Sequence, residues 1–133
     1  MKTKLAVLCA GVFLAALPIL AHHSFAAEYD STKPVTVKGK FIKMDWVNPH
    51  SWVHMEVVNA DGKAEMWQCE TPPPNGLYRS GWRKDMIKEG EEITVTGYLA
   101  KDGTRTMWSQ GITLPDGSRL TLGSAPGSPT NKQ

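Results

Sequence analysis

Three Asp-Gly pairs punctuate this chain, in "NADGK" at Asp61-Gly62, "AKDGT" at Asp102-Gly103 and "LPDGS" at Asp116-Gly117. Glycine accepts the positive φ that tight hairpin turns need, so Asp-Gly between apolar-patterned runs is a strong hairpin signal. Each pair predicts that its flanking strands lie antiparallel. The flanking runs read as strands over Pro34–Trp46, Ser51–Val58, Lys63–Glu70, Glu92–Ala100, Thr104–Thr113 and a short Arg119–Leu122. In the second, Val53, Met55 and Val57 alternate with Trp52, His54 and Glu56, the period-2 pattern of a half-buried strand. In the first, Val35 and Val37 share one parity, and Ile42, Met44 and Trp46 share the other. Gly39 stands between, which predicts a bend or bulge there.

Between the third and fourth strands the pattern changes. "TPPPNG" is extended and stiff because of its prolines. Leu77, Tyr78, Trp82, Met86 and Ile87 then follow at the spacing of a short amphipathic helix capped by Asn75, with Gly81 as its weak point. Three strands, a short helix and further strands is the order of an OB-type fold. The predicted fold class is therefore all-β: a small OB-like β-barrel of five to six strands with one short helix between strands 3 and 4. A two-sheet sandwich is the alternative, and the helix position argues against it.

The 133 residues suffice for one domain. Residues 1–21 read as a secretory signal peptide: Lys2 and Lys4, then an apolar run from Leu5 to Leu20, then small Ala21. That run is short for a membrane span. Residues 22–33 read as an N-terminal arm, 34–122 as the barrel and 123–133, Gly/Ser/Pro-rich, as a disordered tail. A cut after Ala21 makes His22 the new N-terminus; a competing cut after Ala26 removes His22 and His23. Loss of Lys2 and Lys4 leaves 13 of the 15 basic residues against 13 acidic ones. The mature chain is then formally neutral, without the basic face of a nucleic-acid binder. Cys69 would be its one cysteine, so no intramolecular disulfide is expected. The expected location is the periplasm or outside the cell.

Histidine is the main chemical resource: His22, His23, His50 and His54. With the cut after Ala21, His22 carries an α-amine beside its imidazole, and the two close a chelate ring that favours Cu(II). His50 in "WVNPH" is the first choice for a third nitrogen, and His54 the second. The expected metal residues are thus His22, His23, His50 and His54, with copper as the expected ion. Against this stands a plainer reading, with His22 and His23 a solvated tether, His50 a turn residue and His54 half-buried beside Trp52. Met44, Met55, Met66 and Met107 on strands read as core filler rather than Cu(I) ligands. Cys69 reads as a buried small apolar residue. Glu56 and Glu70 form a carboxylate pair only if the barrel joins them. No GxSxG or HExxH is present, and the chain is not expected to be an enzyme. Arg79, Arg83 and Lys84 place positive charge on the exposed helix face, read first as a solvated face and second as a place where an acidic envelope partner would dock. The rival function is therefore an envelope interaction module. The oligomeric state stays open.

The blocks "AHHSFAAEYD", "KPVTVKGKFIKMDWVNPHSWV", "EGEEITVTGY" and "AKDGT" before "ITLPDG" resemble a family of small exported bacterial proteins known as a domain of unknown function. "HHSF" combined with W-x-N-P-H carries most of that resemblance, which spans residues 21–122. It implies export and a small β-rich fold, and it implies no activity. "CETPPPNG" is more proline-rich than the family's pattern, and the Cys69 position is variable there, which makes Cys69 a poor functional candidate.

Overall fold

A computed structural model describes residues 24–123. The segment read as a signal peptide, His22 and His23, and the tail from 124 onward lie outside the described residues. Six strands form one sheet: β1 (Tyr29–Asp45), β2 (Ser51–Val58), β3 (Ala64–Thr71), β4 (Glu92–Ala100), β5 (Thr106–Thr113) and β6 (Arg119–Thr121). Two short helices accompany them, α1 (Phe25–Glu28) and α2 (Pro74–Arg79). The fold is all-β, and α2 sits between strands 3 and 4 as the sequence predicts.

The Asp-Gly turns join β2 to β3, β4 to β5 and β5 to β6, all antiparallel. Long β1 pairs with β2 through its second half and with β4 through its first, so it serves both sides of the sheet. The strand order is β3-β2-β1-β4-β5-β6, and a parallel pairing of β3 with β5 closes β1 to β5 into a ring. That closure matches Gln68 to Thr106, Cys69 to Met107 and Glu70 to Trp108.

Inside the ring lies the main core. Val37, Phe41, Val53, Met55, Cys69, Val95, Met107 and Ile112 are buried in one cluster. Leu77 of α2 joins it, with Trp82 and Ile87 from the following turn. Each fully buried Val, Ile or Met contributes about 1.5–3 kcal/mol.

Three local expectations need correction. First, the face switch in β1 is real, but its irregularity falls between Phe41 and Lys43 rather than at Gly39. Gly39 has another role: a Cβ there would stand 2.3 Å from the Glu56 carbonyl oxygen, so β1 and β2 approach too closely for a side chain. Second, the helix is shorter and begins earlier than expected. Pro73 is its N-cap and Asn75 lies within it. Gly81, at φ 92°, breaks it before Trp82, and residues 82–87 are irregular, with a turn at 84–85 and a bend at 86–87. Third, β1 starts at Tyr29, five residues before Pro34.

Cys69 is buried, as expected, and burial pushes its thiol up to about 12. The folded chain therefore keeps this proton at pH values where the unfolded chain, with a thiol near 8.5, has lost it. The stability this group contributes is full below that value and falls as pH rises from there towards 12. Between about pH 8 and about pH 10 the loss should reach about 2 kcal/mol. Urea unfolding of wild type and Cys69→Ala at the two pH values reads it. A decline of equal size in both proteins would refute the assignment.

Candidate functional site

Side chains alternate across a strand, so the residues after Cys69 and Met107 point out of the ring. Those residues are Glu70 and Trp108, neighbours across the closing seam. An outward Glu and Trp would ordinarily meet water, yet both are buried, at 4% and 3% exposure. The cover is the N-terminal segment. Phe25 of α1 stacks on Tyr29 at 5.7 Å and meets the edges of Tyr98 and Trp108 at 5.6 and 6.3 Å. Together with Ala100 these rings form a second, smaller core outside the ring. Lys101 ties the segment down, its Nζ donating to Ala26 O at 2.5 Å and its backbone N–H to Glu28 O at 2.8 Å.

At the centre of this second core the Glu70 carboxylate accepts two hydrogen bonds. The Tyr29 hydroxyl donates to Oε2 and His50 Nδ1 donates to Oε1. Burial first, and the Glu70 carboxylate second, push the Tyr29 phenol far above its ordinary value, so it stays a donor. His50 also stands edge-on to Trp108, ring centroids 5.2 Å apart. One carboxylate thus joins the start of β1, the end of β3 and the loop before β2. A cavity of about 360 Å³ opens beside it, lined in part by His50, Trp108, Arg79 and Ser80.

The two described candidate histidines hold different carboxylates. His54 Nε2 lies 2.8 Å from Asp45 Oδ2, and Lys43 first, with His54 second, keeps the Asp45 carboxyl below its usual range. His50 holds Glu70. Among the described residues no three His, Cys, Asp or Glu side chains gather as a metal set, and His22 and His23 lie outside those residues. Glu56 and Glu70 are not joined. Glu70 faces Trp52 across the sheet, four residues along β2 from Glu56, about 13 Å. Arg79 separates from Arg83 and Lys84. It faces the cavity, while Arg83 lies over the Tyr78 ring at 5.6 Å and Lys84 over the Trp46 ring at 5.8 Å.

A model described as a family of unknown function, DUF6152, matches residues 10–109, a span that takes in Tyr29, His50, Glu70 and Trp108. The chain belongs to that family. No curated protein matches this DUF6152 chain. Among solved structures it is similar to a tRNA agmatidine synthetase, TiaS, in its apo form, at 17% identity and a TM-score of 0.43. The likeness covers 64% of this chain and 18% of that one, and it carries no argument about function. Among the described residues no helix is long and apolar enough to cross a membrane.

For the DUF6152 chain, the chemistry available at the site is that of an oriented imidazole. A carboxylate on Nδ1 fixes the ring's tautomer and plane and leaves Nε2 to face outward. Sequence reasoning reached His50 and missed Glu70 and Trp108 as its partners. Their joint burial depends on a pairing between residues 38 positions apart, which no local pattern encodes.

Proposed function

We propose that this protein is an exported binding protein that holds a transition-metal ion, copper in the first place, through His22, His23 and His50. The observation that carries the reading is the Glu70–His50 hydrogen bond on Nδ1. Metal-binding histidines characteristically donate their second ring N–H to a carboxylate, which leaves the other nitrogen for the ion. Phe25 and His50 rest on the same Trp108 indole. Export and a cut after Ala21 complete the reading, because His22 then supplies an amine and an imidazole.

Intact mass of the processed protein tests the first condition, and a mature start at Ala27 would end the reading. Copper(II) titration of the mature protein tests the second. Replacing His50 by Ala is expected to weaken binding at least about tenfold, and one extra residue before His22 should do the same. Equal affinity in all three forms would remove His22 and His50 from the site.

A second reading has its own support. Trp46 and Tyr78 stack at 5.4 Å with Arg83 and Lys84 over their faces, and Tyr78 and Met86 are exposed. Cations resting on rings rather than on carboxylates leave their charge open to an acidic envelope partner. This interaction-module reading is the one left standing if copper binding ignores His50.

A further inference from the structure

The cavity beside His50 has a lining of one sign. The geometry points to a binding site for a small organic monocarboxylate, with the Arg79 guanidinium as its anchor. Its volume, about 360 Å³, falls in the range of small-molecule sites, about 300–1,000 Å³. Pro72, Leu122 and Trp108 supply apolar walls, while His50, Arg79 and Ser80 supply the polar groups. Among the described residues no carboxylate lines it. Glu70, behind His50, has both oxygens engaged by His50 and Tyr29.

Arg79 differs from the other described arginines. Arg105 pairs with Glu65, Arg83 donates to the Tyr78 and Trp82 carbonyls, and Arg119 donates to the Thr96 hydroxyl. The Arg79 side chain makes no hydrogen bond or ion pair among the described residues, although it borders the concavity. A guanidinium presents a planar fork that matches a carboxylate with two parallel N–H···O bonds. One such fork neutralises one charge. A phosphate would bring a second charge against prolines and an indole that offer it no compensation. The lining therefore suits a singly charged planar anion on an apolar body. Ser80 Oγ already donates to Gly76 O at 3.1 Å, so its proton is engaged and Arg79 is left as the anchor for the carboxylate.

This inference rests on the cavity and not on the metal reading, so the probe is applied to chelator-treated protein. Sodium benzoate is titrated into the full ¹⁵N-labelled chain. Saturable shifts are expected at the Gly76 and Ser80 amides and the Trp108 indole, with a dissociation constant on the order of 1 mM. Benzamide, the neutral isostere, should bind at least about tenfold more weakly, and Arg79→Gln should weaken benzoate by a similar factor. The Arg79 side chain has no hydrogen-bond or ion-pair partner among the described residues, so its variant should melt with wild type. Four results would each overturn the site: no saturable shift, equal affinity for benzamide, phosphate bound as tightly as benzoate, or an Arg79→Gln protein that binds benzoate as wild type does. Copper titration of Arg79→Gln is expected to match wild type, so failure of either reading leaves the other testable.

Discussion

Replacing Glu70 by alanine is expected to destabilise the protein by about 2 kcal/mol or more, because it strands one buried donor and one half-buried donor at once. The Tyr29 hydroxyl and His50 Nδ1 both lose their acceptor, and each unpaired buried group costs about 1–3 kcal/mol. Urea unfolding followed by tryptophan fluorescence measures it. A change below about 1 kcal/mol would mean that water satisfies both donors and that the second core does not depend on Glu70.

Glu70→Gln separates stability from binding. A glutamine amide accepts from Tyr29 through its oxygen and donates to His50 Nδ1 through its nitrogen. The imidazole must then carry its proton on Nε2, which removes the lone pair a metal needs. The expected stability loss is less than about 1 kcal/mol, while copper affinity falls at least about tenfold. Unchanged copper affinity in this variant would sink the role given to His50.

Gly97→Ala is the other large effect. A Cβ at Gly97 would stand 1.7 Å from the Trp108 carbonyl oxygen and 2.8 Å from its carbon. Both are backbone atoms, so no rotamer change relieves the clash, and β4 must part from β5 beside Trp108. The irregular register between Thr96 and Gly97 marks the same close approach. The expected cost is about 3 kcal/mol, or a melting temperature at least about 12 °C lower. Gly62→Ala is the control. Open space surrounds Gly62, and only its φ of +79° is strained by a side chain, a cost of about 1 kcal/mol. Equal effects of the two substitutions would show that backbone proximity at Gly97 is not what makes glycine necessary there.

The strands were legible because their cause is local. Alternation in Val53-His54-Met55 and the three Asp-Gly turns act within a few residues, and pairing follows from the turn. The break in the long first strand was legible from its parity change. Its irregularity was misplaced because Gly39 answers to Glu56 on another strand rather than to its own neighbours. The helix was misread for a similar reason. Leu77, Trp82 and Ile87 all face the core, as a helical stripe would, but Gly81 turns the chain between them and packing preserves the burial without the helix.

The sequence alone determined an all-β chain with one short helix and three antiparallel turns, since those depend on φ preferences and a period-2 pattern. It also singled out His50. Tertiary structure decided what His50 can do. Only closure of β3 against β5 sets Glu70 beside Trp108, and only the segment from Phe25 to Tyr29, folded over the outside of the ring, takes that pair out of water. Burial strengthens the carboxylate's hold on the imidazole, and burial belongs to the assembled surface rather than to any single strand.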